Sequence, residues 1–374
     1  MTTVLHEPGS HGPDYALPPG ATLRETLEVL GMSQADLARR TELSTKHVNQ
    51  ILKGHAPITA ETAVVLERVT GVPAVVWNNL QGNYDAHKIQ ARHRATFSGD
   101  DRSWLERFPL KQLASRGKID QASVDPHTFE QVLAFFGVGS RTAWDELWLS
   151  PAAAFRQSPA FTASPMATGA WIRLCELEAA SVECRPFDRT RFRASLDEIR
   201  GLMLRDPSDF IPEMERLCAD RGVALVFVPE ITGARISGAA EWLTPSKALI
   251  GLSLRYKWED QFWFSFFHEA AHLLEHSKKL GFVDRAGDEE DGLEDEANAF
   301  ASSILIPTRY EWRLAALTHL DAAQAFAREI GVPAAVVIGR LQHEGILDYR
   351  VGNGLRRRLK FIEASDEPES PEAS

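Results

Sequence analysis

The chain has 374 residues, 44% hydrophobic and 25% charged, which is enough apolar material for two or three globular domains. Its three cysteines, Cys175, Cys184 and Cys218, contain no CxxC pair, which argues against a disulfide framework or a Cys-rich zinc module. The net charge of -11 is concentrated in residues 283–296, which carry -7, and 361–374, which carry -5. The remainder is close to neutral, so the acidity does not exclude DNA binding.

The N-terminus has no apolar signal core, and free thiols favour a reducing compartment. The longest apolar runs, 224–228 and 262–267, are far shorter than the roughly 20 residues that cross a bilayer. We therefore expect a cytoplasmic protein with no membrane partner.

Residues 1–19 are rich in Gly, Pro and His, which predicts a disordered N-terminus. Residues 20–95 show a helical pattern, which predicts a compact helical domain. Ser33 and Ser44 are typical N-cap residues of two consecutive helices, and Gly54 is placed to end the second. This pattern predicts a helix-turn-helix, in which the second helix enters the major groove of DNA.

Amide side chains suit adenine edges, and lysine suits guanine or phosphate. The residues expected to contact DNA are Gln34, Thr45, Lys46, Asn49, Gln50 and Lys53. Residues 20–97 hold nine basic and seven acidic residues, a weakly basic balance. A helix-turn-helix that serves only packing or dimerisation is the alternative.

Three stretches of this domain carry a family resemblance: Ala35–Arg39 (ADLAR), Val48–Gly54 (VNQILKG) and Pro57–Ala63 (PITAETA). They resemble the XRE/Cro-like repressors, and especially antitoxins of the HigA type. The resemblance implies a homodimer that binds a palindromic double-stranded operator.

Residues 96–165 predict a connector with helical stretches, and 168–220 again show helical spacing. Three short β-rich segments follow, and Thr244–Lys247 provides the turn between the second and third. The predicted strands are Gly222–Pro229, Ile236–Trp242 and Ala248–Leu254. A long helix that carries the motif at residues 268–272 is predicted after the strands. Three further helices are predicted over residues 292–305, 308–329 and 333–344.

The motif His268-Glu-Ala-Ala-His272 places two imidazoles four residues apart, on one face of a helix. Both can reach one metal ion, while Glu269 can act as the general base toward water. A catalytic zinc requires a third protein ligand and one open position. His276 is excluded as that ligand, because eight helical residues rise by about 12 Å from His268.

A carboxylate at the start of the following helix is the better candidate for the third ligand. Glu294, Asp295 and Glu296 all lie there, and Glu294 opens an E-x-x-A-N arrangement. Asn298, one turn further, can fix the tautomer of a ligand histidine. An acidic helix N-terminus, which the helix dipole favours in any case, is the alternative reading of this segment.

The two motifs FHEAAHLLEH and EDEANAFASSILIP resemble the ImmA/IrrE family of metallo-endopeptidases over roughly residues 200–345. The resemblance implies the ligands His268, His272 and Glu294, the base Glu269, and a gluzincin-like zinc site. Ala271 stands where that family often has Gly, and residues 284–291 are unusually acidic.

The predicted fold class is therefore α+β: an all-α helix-turn-helix domain joined to a mainly helical, zincin-like metallopeptidase domain with a small β-sheet. We place the peptidase domain at 166–350, with the connector at 96–165. Residues 351–374 are interpreted as a solvated basic cluster, Arg356–Arg358 with Lys360, followed by a disordered acidic tail.

The expected function is a DNA-binding transcriptional regulator with a zinc-dependent endopeptidase domain. The expected substrate is a regulatory protein, either a repressor or the chain itself, in stress, phage or toxin-antitoxin control. Zn²⁺ is the expected cofactor, with Mn²⁺ as the other candidate. The alternative is a non-enzymatic, HigA-like repressor whose metallopeptidase fold is a scaffold that binds a toxin or a small signal. A closed structural metal site is disfavoured, because three protein ligands leave an open position.

Overall fold

The computed structural model describes residues 17–149, 164–275 and 289–361, with only the backbone described for 289–291. The chain forms two compact units. The first runs to Gly99 and includes Asp125–His127, and the second holds Asp100–Val124 and the chain from Thr128 onward. The predicted α+β class is confirmed, because a helical first unit accompanies a second unit with a three-stranded sheet.

The first unit is a bundle of short helices around a small apolar core. Its helices are α1 (Pro19–Val29), α2 (Gln34–Thr41), α3 (Thr45–Leu52), α4 (Ala60–Thr70) and α5 (Ala74–Ala95). Leu23, Val48 and Trp77 are completely buried in this core. Gly20 is required, because a Cβ atom there would lie 2.0 Å from the Ile51 carbonyl oxygen.

The segment predicted as disordered extends too far, because α1 already begins at Pro19. Proline is favoured in the first helical turn, where its missing N–H has no intrahelical partner to lose. Residues 1–16 lie outside the described residues.

The two helices of the helix-turn-helix begin at the predicted caps. The Ser33 hydroxyl accepts a hydrogen bond from the Asp36 N–H, and the Ser44 hydroxyl accepts one from the His47 N–H, both at 3.1 Å. Glu42, between the helices, has a left-handed φ of 58°. Each serine satisfies a backbone donor that would otherwise lack a partner at the helix start.

The second unit starts with short helices around an aromatic cluster. These are α6 (Gly99–Leu105), α7 (Leu110–Ser115), α8 (Pro126–Phe136) and α9 (Arg141–Trp144), followed by one π-helical turn at Asp145–Leu149. Trp144 lies at its centre, with ring centroids 5.2 Å from Phe108 and 5.6 Å from Phe136. Apart from the first residues of α6 and α8, these helices belong to the same unit as the rest of the C-terminal chain, so the connector boundary at 165/166 stays a prediction.

Three helices precede and flank a small mixed sheet. They are α10 (Pro165–Ser181), α11 (Arg189–Arg200) and α12 (Pro207–Ala219). The strands are β1 (Val223–Phe227), β2 (Gly238–Thr244) and β3 (Lys247–Leu252), in the order β1-β3-β2. β3 pairs in parallel with β1 and antiparallel with β2. The three predicted strands and the turn at 244–247 are present, with ends shifted by one or two residues.

The helix with the HExxH motif packs on this sheet and on the helices that follow it. It is α13 (Glu259–Glu275), and it is followed by α14 (Glu289–Leu305), α15 (Leu320–Ile330) and α16 (Ala334–His343). Trp263, Phe266 and Phe267 of α13 are completely buried in the main core of the unit. No helix within the described ranges has the length and apolar character needed to cross a membrane.

The prediction of one helix over 308–329 is wrong. The chain instead forms a 3₁₀ helix at Thr308–Ala316 and begins α15 at Leu320. Because 3₁₀ turns are tighter than α-helical ones, side chains three residues apart line up, and the apolar spacing alone did not distinguish the two.

The interpretation of the basic cluster as a solvated end is wrong for Arg356 and Arg357, whereas Arg358 and Lys360 are exposed. The Arg356 guanidinium is bonded to the buried Asp260 carboxylate, and Arg357 donates to Glu259 at 2.7 Å. Leu359 is 6% exposed, and its N–H donates to the Lys257 carbonyl at 2.8 Å. This segment therefore binds the first turn of α13. The acidic residues after 361 lie outside the described part of the chain.

Candidate metal centre and nucleic-acid interface

The C-terminal half of α13 carries two histidines and a glutamate into a crowded, largely apolar environment. His268 is 8% exposed and Glu269 is 7% exposed, although both are polar. Ala270 and Ala271, which lie between Glu269 and His272 in the sequence, are completely buried, and so is Ala301 on α14. These small residues are consistent with the close packing of α13 and α14. Burial of polar groups is costly unless they have partners, so the partners of these side chains define the site.

The three predicted ligand side chains meet at one point. The Nε2 atoms of His268 and His272 are 3.1 Å apart. The carboxylate of Glu294 lies 3.2 Å from His268 Nε2 through one oxygen and 3.4 Å from His272 Nε2 through the other. One ligand atom from each residue lies within 4.8 Å of the others. Two residues from α13 and one from α14 thus form a single cluster.

These separations fit a tetrahedral divalent cation. Metal–nitrogen and metal–oxygen bonds near 2.0–2.1 Å, combined with tetrahedral angles, place neighbouring ligand atoms about 3.3–3.4 Å apart. The two imidazole nitrogens, 3.1 Å apart, are close to that spacing, and each of the two Glu294 oxygens lies at a similar distance, 3.2 or 3.4 Å, from one of them. Two imidazoles and one carboxylate also form a donor set that suits zinc.

Asn298 occupies the position expected of a residue that orients a ligand. Its Oδ1 lies 3.0 Å from His268 Nδ1. An amide oxygen only accepts hydrogen bonds, so with Oδ1 facing the ring this contact favours the tautomer that carries its proton on Nδ1. The Nε2 lone pair then points toward His272 and Glu294. The tautomer that binds a metal through Nε2 is therefore set by a side chain one turn beyond Glu294 on α14.

Glu269 differs from the neighbouring acids in its environment. Burial raises the pKa of its carboxyl to about 7, and the nearby Glu294 charge adds to this, while the His268 charge lowers the pKa.

Asp295 and Glu296, the competing candidates for the third ligand on α14, are both exposed, whereas Glu294 is half-buried. His276 lies outside the described residues.

Sequence reasoning missed the close approach of β2 to Glu269. A Cβ atom at Gly238 would lie 2.8 Å from both Cγ and Oε1 of Glu269. Any side chain at Gly238 would therefore displace the carboxylate. The two residues are 31 positions apart, and a single glycine at a strand start gives no local signal of such a contact.

The residues predicted to contact DNA share a solvent-facing location. Thr45, Lys46, Asn49 and Gln50 lie on α3, and all four are exposed. Gln34, at the start of α2, and Lys53, at the C-cap of α3, are exposed as well. Val48, Ile51 and Leu52 cover the opposite, buried face. The arrangement leaves one face of α3 available to a partner.

Two known families each match a separate part of this chain. Residues 23–77 match the family described as helix-turn-helix, and residues 228–342 match the IrrE N-terminal-like domain of the M78 peptidases. The chain therefore contains an IrrE-like domain of the M78 peptidase family and, N-terminal to it, a helix-turn-helix domain. The matched segment 228–342 contains β2, β3, α13 and α14, and therefore all three clustered residues.

Two curated relatives each match a short part of this chain. Virulence-associated protein I of Dichelobacter nodosus is 39% identical over 71 residues, which are 19% of this chain and 66% of the relative. The uncharacterized HTH-type transcriptional regulator YddM of Escherichia coli K12 is 35% identical over 63 residues, 17% of this chain and 67% of its own length. The chain thus spans about two thirds of each of these relatives.

Solved structures with similarity to this chain include two HigA proteins. An addiction module antidote protein of the HigA family from Coxiella burnetii is 34% identical, with 22% of this chain and 90% of that chain covered and a TM-score of 0.21. The Pseudomonas aeruginosa antitoxin HigA, solved with the higBA promoter, is also 34% identical. The match covers 21% of this chain and 87% of the HigA chain, with a TM-score of 0.21.

Proposed function

We propose that this protein is a DNA-binding transcriptional regulator whose C-terminal unit is a zinc-dependent endopeptidase. The observation that carries the enzymatic half is the convergence of His268, His272 and Glu294 beside a buried Glu269. A scaffold that only held a metal would need the three ligands but not the additional buried carboxylate.

Each side chain of the site has a distinct task in this proposal. His268, His272 and Glu294 hold the cation, and Asn298 keeps the His268 ring in its binding tautomer. A divalent cation bound there supplies Lewis-acid chemistry, which polarises a peptide carbonyl and makes a nearby water more acidic. The Glu269 carboxylate takes the proton of the attacking water and delivers it to the leaving amine.

The edge strand β2 offers a place for an extended peptide. Within the described part of the chain, β2 pairs with β3 along one side only. An extended peptide can add to such an edge through backbone hydrogen bonds. Gly238 at the start of β2 brings that edge directly against Glu269. A bound peptide would therefore run past the proposed base.

The N-terminal unit supplies the DNA-binding half of the proposal. The exposed face of α3 presents two amides, Asn49 and Gln50, with Lys46 and Lys53 at either end. This composition suits base edges flanked by phosphates in a major groove. We propose a double-stranded operator as the DNA partner, bound by a homodimer in the cytoplasm. The protein partner is a regulatory protein, either a repressor, a toxin or the chain itself.

The test is a paired measurement of metal content and peptide cleavage on the full chain. Wild type should retain about one zinc per chain by elemental analysis and should cleave peptides in a quenched-fluorescent library. Glu269→Gln should retain the zinc but lose at least about 100-fold in cleavage rate, since general-base catalysis contributes that much. His272→Ala should lose the metal itself.

The matched control is His319→Ala, which removes an exposed histidine from the same unit. It should leave both metal content and cleavage unchanged. Full cleavage by Glu269→Gln would refute the mechanism. Zinc binding by wild type without cleavage of any library peptide would favour the non-enzymatic scaffold instead. Elemental analysis of the protein as purified would also distinguish zinc from manganese.

A further inference from the structure

A shallow pocket, about half open to solvent, lies at one end of the sheet, beside the N-terminal half of α13. Leu252 and Phe262, which are 1% and 4% exposed, supply its apolar floor. Its rim is formed by the loop that joins β3 to α13, including Arg255, Lys257 and Trp258. Beside an added peptide strand, a pocket with an apolar floor and a charged rim can read one side chain of the peptide.

This pocket adjoins the metal centre on two sides. Ser237, one of its lining residues, directly precedes Gly238, which contacts Glu269. Ser265, another lining residue, lies one helical turn before Glu269 on α13, a rise of about 6 Å. A peptide that passed Glu269 along β2 would therefore place a neighbouring side chain at the pocket.

The rim of the pocket has an excess of positive charge. Arg255 and Lys257 are the charged residues of its lining. Arg255 is held 3.6 Å from Glu230. The Lys257 side chain is exposed and has no acidic partner within 4.0 Å in the described ranges. Lys257 is thus available to a ligand.

The backbone fixes Lys257 at this rim. Leu254 and Lys257 have positive φ angles of 53° and 57°, which are uncommon for residues other than glycine. The Lys257 N–H donates to the Leu254 carbonyl at 3.0 Å, and the Lys257 carbonyl accepts from Leu359 at 2.8 Å. Strained backbone that is held by its surroundings often occurs where a ligand is bound.

We propose that this pocket is a specificity site, and that it selects an acidic residue of the peptide substrate near the scissile bond. The inference rests on the proposed peptidase function and names the substrate feature that the same site recognises. A glutamate side chain combines an apolar stem, which can lie on the Leu252 and Phe262 floor, with a carboxylate that can pair with Lys257.

The test compares synthetic peptides that differ at a single position. A quenched-fluorescent peptide that the full-length, zinc-loaded protein cleaves is prepared with Glu, Gln or Lys at each position around the scissile bond. At one position, Glu should raise kcat/KM over Gln by about tenfold, as expected for one charge-assisted hydrogen bond. Lys257→Glu should reverse this order, so that Lys is preferred over Gln, which is preferred over Glu.

Lys111→Glu is the matched control, because it makes the same charge change at an exposed lysine of the same unit. It should keep the wild-type order of peptides. Lys257→Gln should abolish the Glu preference without creating a Lys preference, and it provides the test if Lys257→Glu fails to fold. A chain truncated after Phe361 should retain the preference. Loss of the preference on truncation would overturn the pocket as its source.

A measurement of peptide binding tests the specificity site independently of cleavage. The cleavage-deficient Glu269→Gln variant should bind a fluorescently labelled Glu peptide about tenfold more tightly than its Gln counterpart, and Lys257→Glu in that background should reverse the difference. Cleavage by wild type with no dependence on acidic residues would overturn the specificity site and leave the peptidase standing. Absence of cleavage by the metal-loaded wild type would overturn both.

Discussion

At the scale of single residues, the contact between Asn298 and His268 makes a prediction about metal affinity. The Asn298 oxygen accepts from His268 Nδ1 at 3.0 Å and so fixes the tautomer that leaves Nε2 free. Asn298→Ala should weaken zinc binding by about 10- to 100-fold, because groups that orient ligands typically contribute that much. Competition with a fluorescent zinc chelator measures the change.

Asn298→Asp is the matched control, since it keeps an oxygen acceptor at the same place. It should bind zinc far more tightly than the alanine variant. Equal losses in the two variants would show that the orientation of His268 does not depend on an acceptor at this position.

Glu241 makes a second residue-scale prediction, on stability rather than on chemistry. This β2 residue is 8% exposed, and burial raises the pKa of its carboxyl to about 8, with Glu176 and then Glu269 adding to the effect. As pH rises from about 4.5 to 8, the unfolded chain loses this proton while the folded chain keeps it. The folded state therefore binds more protons, and stability falls across that range.

Glu241→Gln should remove this loss, because glutamine does not ionise. The free energy of unfolding of the variant should gain on wild type between pH 5 and pH 8 by at least about 1 kcal/mol, since one pKa unit corresponds to about 1.4 kcal/mol. Urea titrations at several pH values measure the difference. The exposed Glu178→Gln should leave the wild-type profile unchanged, and an identical profile for Glu241→Gln would contradict the prediction.

Residue-level inference from the sequence worked where the spacing was local. The four-residue interval of His268 and His272 predicts that they share a helix face, and the structure brings them together with Glu294. The choice of Glu294 over its acidic neighbours came from family resemblance. The contact of Gly238 with Glu269 was not predictable, because it depends on how a strand and a helix pack.

At the scale of elements, the segment after α16 stabilises the start of α13. The Arg356 guanidinium and the Asp260 carboxylate form a pair whose side chains are 13% and 5% exposed. Gly339 of α16 borders the pair, since a Cβ atom there would lie 2.6 Å from the Asp260 carboxylate. The helix that carries the proposed ligands His268 and His272 is thus bonded, at its first turn, to the last part of the described chain.

Arg356→Gln should therefore destabilise the C-terminal unit strongly. Removal of one partner leaves a buried, uncompensated carboxylate, which costs about 3–5 kcal/mol. Eight of the nine tryptophans follow residue 99, so a urea titration monitored by tryptophan fluorescence mainly reports on this unit. Arg340→Gln, which breaks a more exposed pair with Glu344, should cause a much smaller loss. Equal effects of the two variants would contradict the argument.

Element prediction succeeded for the strands and failed for parts of the chain with distant partners. Short β-rich runs bounded by turn residues located the three strands within one or two residues. The arginines at 356 and 357 were interpreted as solvated, because their partners at 260 and 259 are 96 and 98 positions away. Charge patterning along a sequence does not detect ion pairs of that separation.

At the scale of the whole molecule, the two compact units predict that DNA binding and metal binding are separable properties. The residues proposed to contact DNA lie in the first unit, and the proposed metal ligands lie in the second. Substitutions on α3 should therefore leave zinc content and peptide cleavage unchanged. Elemental analysis of the same preparations used for DNA binding provides the comparison.

The proposed roles of Lys53 and Gln50 make different predictions for the full chain. Loss of a phosphate contact in Lys53→Ala should weaken binding to any duplex and should reduce the slope of log affinity against log salt concentration by about one. Loss of a base contact in Gln50→Ala should weaken binding only to the operator, by about 1–3 kcal/mol, with the slope unchanged. Fluorescence anisotropy on the upstream region of its own coding sequence and on an unrelated duplex measures both. If both variants bound both duplexes like wild type, α3 would not be a recognition helix, and the helix-turn-helix would serve packing or dimerisation.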